Sequence, residues 1–228
     1  MSQFSSEKQQ ILDTALRLVQ KGLLLATGGN LSIRIPGTET IAITPSNYDY
    51  LEMTPDDICI LDRDVRQLEG THKPSVESAM HLAIYQARSD VNAIVHTHQV
   101  YASTLSLIKS SIPALFDEQV RFLGKSIDVI PYAPSGTSFL KNTIASHIRD
   151  LHNAYIMQNH GLLCFGTNLL RAAENVEIVE KCAITYLIAL CTDRKITKIP
   201  LLVQEIAFQK LRKDQTNAAH QLHTLSTE

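Results

Sequence analysis

The chain has no tryptophan, only 6% aromatic residues, and no run of basic side chains among its 21 lysines and arginines. With a formal net charge of -2 it carries neither the basic footprint nor the aromatic stacking platform that nucleic-acid binding needs. Long apolar runs are also missing. The longest, Cys182 to Cys191, is broken by Thr185 and is too short to span a bilayer, and the N-terminus from Met1 to Lys8 has no apolar signal core. The four cysteines, Cys59, Cys164, Cys182 and Cys191, show no Cys-x-x-Cys spacing, which excludes a zinc ribbon or a disulfide framework. These absences predict a soluble, cytoplasmic protein with reduced, buried thiols and a small-molecule ligand, without a membrane or nucleic-acid partner. Repeats and low-complexity segments are absent as well.

What is present is enough apolar material for one large core. At 228 residues and 44% hydrophobic, nothing demands a second folding unit. Ser6 followed by Gln9 resembles a capping box. Ile11, Leu12, Ala15, Leu18 and Val19 then recur at helical spacing until Gly22. Leu31 to Ile35, Thr40 to Thr44 and Ile58 to Leu61 read as strands, the first two around a Pro36-Gly37 turn. Ser75 is placed to cap a helix that buries Val76, Met80, Ala83, Ile84 and Ala87, with Glu77 and His81 one turn apart at the edge of the stripe. A strand at Ile127 to Ile130, a helix from Ser138 to about Leu151, a strand before His160 and a long helix from Leu169 to Leu190 follow. Beyond Pro200 the pattern predicts a helix over Gln204 to Arg212 and a frayed last dozen residues. Early hairpins with helices around them point to a sheet with helices on its faces, in the α/β or α+β range.

Two histidines one residue apart, in Val95-His96-Thr97-His98, close the β-branched run Val91-Asn92-Ala93-Ile94-Val95. Alternate strand residues share a face, so His96 and His98 stand side by side. Such a pair also reads as a hydrogen-bonded core pair. A third histidine in Gln158-Asn159-His160-Gly161 follows the strand Ala154 to Gln158, and neighbouring strands would bring it to the same sheet edge. Three imidazoles with an open position suit a catalytic zinc rather than a sealed structural site. Ala26-Thr27-Gly28-Gly29-Asn30 can offer backbone N–H groups and an amide to an anion, or it is an ordinary helix-to-strand turn. Glu77 by itself reads as a first-turn residue favoured by the helix dipole.

Taken together, Gly29-Asn30-Leu31-Ser32, Thr44-Pro45-Ser46, Lys73-Pro74-Ser75-Val76-Glu77, His96-Thr97-His98, Pro131-Tyr132-Ala133 and Asn159-His160-Gly161 occur in the order seen in the class II aldolase/adducin family. The chain resembles that family over roughly residues 8 to 190, and within it the L-fuculose-phosphate aldolase branch. The resemblance implies a single class II aldolase-like domain over residues 1–205, with a central, mostly antiparallel sheet covered by helices on both faces and a tail over 206–228. It further implies that His96, His98 and His160 bind zinc, or another divalent first-row metal, and that Glu77 is the catalytic carboxylate. The activity implied is reversible cleavage of a ketose phosphate, or a related hydroxy-ketose, into a ketone fragment and an aldehyde, the cation stabilising an enediolate. Thr27, Gly29, Asn30, Ser46, Asn47 and Ser75 would hold the phosphate, and a homotetramer with sites between subunits is expected.

The chain departs from the branch pattern at Asn47, where a glycine is usual, and at Val76, where a hydroxyl is usual. Leu115-Phe116-Asp117-Glu118 supplies carboxylates where a tyrosine stands in the aldolases, so Asp117 from a neighbouring subunit is a candidate acid/base. The tail after Pro200 has no tyrosine to serve as proton donor. The same scaffold also serves decarboxylation or epimerisation of sugar acids and sugar phosphates, and a non-catalytic, adducin-like assembly module is the remaining alternative.

Overall fold

The computed structural model describes residues 4–148 and 151–225. In chain order the elements are α1 (Ser5–Gln20), β1 (Asn30–Arg34), β2 (Ile41–Ile43), β3 (Cys59–Leu61), β4 (Gln67–Glu69), α2 (Ser78–Ala87), β5 (Ala93–Thr97) and α3 (Val100–Leu107). They continue with β6 (Ile112–Pro113), α4 (Asp117–Phe122), β7 (Ser126–Ile130), α5 (Ser138–His147), β8 (Ala154–Met157), β9 (Gly161–Gly166), α6 (Leu169–Leu190) and α7 (Leu201–Leu225).

The strands form one nine-stranded sheet in the order β4-β3-β2-β1-β5-β9-β8-β7-β6. Every pairing is antiparallel except that of β7 with β8, so the sheet is mostly antiparallel, as expected. β5 and β9 lie at its centre and are buried along their whole length. That is why Leu162-Leu163-Cys164-Phe165 is an unbroken apolar run rather than an alternating one. On one face α1, α3 and α6 bury Ile11, Leu18, Leu105, Val176 and Val179 against Leu31, Val95 and Leu162. On the other face α2 and α5 pack together and bury Met80, Ile84, Leu140 and Ile144 against Ile94, Leu163 and Phe165. The strand period therefore points His96, which shares parity with Ile94, toward α2.

Several local expectations shift. α1 starts at Ser5 behind Phe4 and has no side-chain cap. Ser6 is already inside the first turn, where its Oγ accepts from Gln10 Nε2 at 3.2 Å, so the Ser6/Gln9 box does not form. α2 begins at Ser78 rather than just after Ser75, because Pro74 is held in a bridge with Pro45 and the chain turns only at Glu77, the N-cap position. α5 is capped by Thr137 and ends at His147, short of Leu151. Residues 149–150 of the expected helix lie outside the described segment. α7 is longer than Gln204 to Arg212. It starts before the 205/206 boundary and runs to Leu225, secured by Phe208 and Leu211 against Ala114 and Val120 and by Gln215 Nε2 on the Leu151 carbonyl at 2.7 Å. Cys59, Cys164 and Cys182 are buried as expected, but Cys191 is exposed where α6 ends. No helix among the described residues is long and apolar enough to cross a membrane.

Candidate active site and metal centre

β5 delivers His96 at its penultimate position and His98 just beyond its end. His160 arrives from the turn between β8 and β9. β9 lies between β5 and β8, so its first residue, Gly161, sits beside the end of β5. The turn needs Asn159 at φ 53, a left-handed conformation that asparagine tolerates better than most residues. Gly161 has a steric role. A Cβ there would come within 2.5 Å of the Thr97 carbonyl and 2.6 Å of His98 Cδ2. Gly29 is constrained likewise, with φ +80 and the His96 carbonyl 2.4 Å from any Cβ, and Tyr50 OH donates to its carbonyl at 2.9 Å.

The three imidazoles form one cluster, their candidate ligand nitrogens all within 4.8 Å of one another. His96 Nδ1 lies 2.8 Å from the Leu162 carbonyl, so it carries the proton and leaves the Nε2 lone pair facing the cluster. His98 Nε2 lies 2.9 Å from His96 Nε2. Burial lowers the His96 pKa to about 4, despite the nearby Glu77 carboxylate, and also lowers that of His98, so both rings are neutral. These two neutral rings, with the His160 ring completing the cluster, fit a divalent first-row cation.

Glu77 reaches this cluster from the N-cap of α2, its Oε2 3.3 Å from His96 Nε2 and its Oε1 3.2 Å from His160 Nε2. It is buried. Asn30 Nδ2 donates to Oε2 at 2.8 Å and Ser135 Oγ donates to Oε1 at 2.7 Å. Burial alone would push this carboxyl up, but His96 with the hydrogen bonds of His160 and Asn30 outweighs it and holds the group well below the usual carboxylate range.

A cavity of about 150 Å³ opens beside these groups. Thr27, Gly29, Asn30, Ser46, Asn47 and Ser75 all line it, with Glu77, His98 and His160. The backbone N–H groups of Ser46 and Ser75 are spent on the Lys73 and Thr44 carbonyls, so only their hydroxyls remain for a ligand. Thr27 Oγ1 donates to Asn47 Oδ1 at 2.9 Å, and Asn47 holds φ 53, the left-handed region where glycine is the usual occupant. The substitution of glycine by asparagine therefore keeps the turn and adds a side chain at the rim. The Asn30 amide is engaged by the Glu77 carboxylate, and the Ser75 hydroxyl accepts from the Glu77 backbone N–H at 3.2 Å. Asp117 is exposed at the start of α4 and does not line the cavity of its own chain.

Ser135 was not anticipated. Its only signal is position, in the Pro131-Tyr132-Ala133-Pro134-Ser135 loop just after the Ile127 to Ile130 strand. Also unanticipated are Ser32 and Tyr85, which extend a buried hydrogen-bond chain behind Asn30 through His81.

The family profile described as Class II Aldolase and Adducin N-terminal domain matches residues 9–187, and the chain belongs to that family. Among similar proteins, a 5-deoxy-D-ribulose 1-phosphate aldolase of Bacillus thuringiensis serovar kurstaki is 36% identical over 79% of this chain and 84% of its own length. The L-fuculose phosphate aldolase of Escherichia coli K12 is 35% identical over 91% of this chain and 94% of its own. A solved L-fuculose 1-phosphate aldolase superposes with a TM-score of 0.86 at 34% identity, covering 93% of this chain and 98% of that one. YgbL of Escherichia coli, for which aldolase, epimerase and decarboxylase stand as alternative assignments, superposes at 0.80 with 26% identity over 90% of this chain and 98% of its own.

Proposed function

We propose that the chain is a metal-dependent class II aldolase that reversibly cleaves a ketose 1-phosphate, such as L-fuculose 1-phosphate or a deoxyribulose phosphate, into a ketone fragment and an aldehyde. The observation that carries this reading is one buried carboxylate, Glu77, held against three converging imidazoles at the wall of a polar cavity. His96, His98 and His160 would hold zinc or another first-row divalent ion. Bound there, the cation supplies Lewis-acid stabilisation of the charge left on the ketone fragment.

The chain's own residues do the remainder. When the carbon–carbon bond breaks, its electron pair stays with the ketone fragment and the hydroxyl of the departing fragment loses its proton as it becomes the aldehyde. Glu77, ionised at rest, takes up a proton from that hydroxyl or through water and hands it to the ketone-fragment carbon, and the synthetic direction runs these transfers in reverse. Thr27, Asn47 and the Ser46 and Ser75 hydroxyls, with the Gly29-Asn30 backbone, line the cavity and are the groups suited to the phosphate. A homotetramer would let a neighbouring subunit add Asp117 as an acid/base to an otherwise complete site. A carboxylate in that role is also what epimerisation or decarboxylation of a sugar phosphate or sugar acid requires, and this is the second reading.

Zinc-loaded protein assayed over ketose 1-phosphates is expected to release an aldehyde. Release of carbon dioxide, or scrambling of one stereocentre without fragments, selects the second reading. Glu77→Gln is expected to keep the fold and metal while turnover falls by roughly two to four orders of magnitude. Undiminished turnover in that variant removes Glu77 from the chemistry.

A further inference from the structure

We propose that His81 is a positioning residue for the lyase reaction, locking the Asn30 amide in the one orientation that presents its N–H to Glu77. The role in catalysis rests on the function proposed above; the hydrogen-bond directions do not.

An asparagine side chain can turn half a revolution about its last bond, exchanging oxygen and nitrogen with almost no change in shape. In one orientation Asn30 offers Glu77 a donor, and in the other a second oxygen that would repel a carboxylate. The choice is therefore made on the opposite side of the amide. There Asn30 Oδ1 lies 2.6 Å from His81 Nε2, and His81 Nδ1 lies 2.7 Å from Ser32 Oγ, which in turn lies 2.7 Å from Tyr85 OH. Asn30, Ser32, His81 and Tyr85 are all buried, so no bulk solvent competes for these groups.

The directions then follow from one constraint. Asn30 Nδ2 donates to Glu77 Oε2 at 2.8 Å, which turns Asn30 Oδ1 toward His81, and an amide oxygen can only accept. His81 Nε2 carries its proton. Burial lowers the His81 pKa to about 3 and raises that of the Tyr85 hydroxyl far above its ordinary value, so a neutral ring meets protonated hydroxyls. A neutral imidazole protonated at Nε2 accepts at Nδ1, so Ser32 donates to His81 and accepts from Tyr85. Every bond in the series points from Tyr85 toward Glu77, the arrangement in which successive bonds reinforce one another. The far end is anchored too. Arg34 donates through Nη2 to the Tyr85 backbone carbonyl at 2.6 Å, and its guanidinium carbon lies 4.9 Å from the Tyr85 ring centroid.

The first test is nitrogen-15 NMR of the histidine rings in the wild-type protein. The expected signature is His81 protonated at Nε2 and unprotonated at Nδ1; the opposite tautomer overturns the proposal whether or not the protein cleaves a ketose phosphate. The second is a kinetic cycle with His81→Leu, Asn30→Ala and the double variant. His81→Leu is expected to lower kcat by about tenfold to a hundredfold, with zinc content retained and KM within about twofold of wild type. In the Asn30→Ala background it should change kcat by less than about twofold, because the amide it positions is gone. Multiplicative losses, or lost zinc, would make His81 a merely structural residue. If His81→Leu fails to fold, Ser32→Ala takes its place with the same coupling expected. No aldehyde from the wild-type protein would instead refute the functional reading, and the tautomer would still decide the hydrogen-bond chain.

Discussion

Gly161 shows how narrowly the metal cluster is fitted into the sheet. Any side chain there must displace both the Thr97 carbonyl and the His98 ring, each closer than 3 Å to the Cβ position. Gly161→Ala is expected to destabilise the fold by about 1–3 kcal/mol, the range for overpacking, and to lower zinc content because His98 must move. Denaturant unfolding of the metal-free protein and elemental analysis separate the two effects; unchanged values for both would show that β9 yields freely. His96→Ala, His98→Ala and His160→Ala should each strip the metal. Full zinc occupancy in any of them would remove that histidine from the ligand set.

The connection from α2 to β5 is tied down by a buried ion pair. Arg88, just after α2, makes a two-pronged contact with Asp90 at 2.8 and 2.7 Å, and also donates to the His152 carbonyl and to Asn153 Oδ1 just before β8. Arg88 and Asp90 are 2% and 8% exposed, so removing one partner strands a charge with little access to water. Asp90→Ala is expected to cost about 3–5 kcal/mol in denaturant unfolding. A loss below about 1 kcal/mol, the level of an exposed pair, would mean that water reaches Arg88 in the native state. Most of these elements were foreseeable: α6 begins and ends where its hydrophobic spacing predicts, Leu169–Leu190. The exceptions have identifiable causes. β4, β6, α4 and the eight-residue α3 are too short to establish a period, and β9 is an apolar run that periodicity alone does not resolve.

Across the whole molecule, burying neutral histidines makes the metal-free fold sensitive to acid. His81 and His96 have folded-state pKa values of about 3 and about 4, below the ordinary 6.5. As the pH falls below 6.5 the unfolded chain takes up protons that the folded chain refuses, so stability is present above that value and is lost on the way down to 4 and 3. Glu77, depressed from 4.5, adds a loss of the same sign further down. Chemical unfolding of the metal-free protein is expected to shift to lower denaturant between pH 7 and pH 5, and a flat profile would contradict the neutral, buried state of these rings.

The motif order, the residue types of the ligand set, the paired histidines on one strand face and the long helices are all legible in the chain itself. Each is expressed locally, as a repeat of burial or a turn chemistry within a few residues. The order of strands was decided only by tertiary packing. β9 inserts between β5 and β8, and that placement carries His160 from 62 positions downstream of His98 in sequence to a ring-centroid separation of 5.2 Å. Tertiary packing likewise gave Ser135 to one oxygen of Glu77 and the Asn30 amide to the other, and it placed His81 behind Asn30. No spacing rule reports such contacts. They join residues that share no period, and they are fixed by the requirement that polar groups enclosed in one core find partners across it.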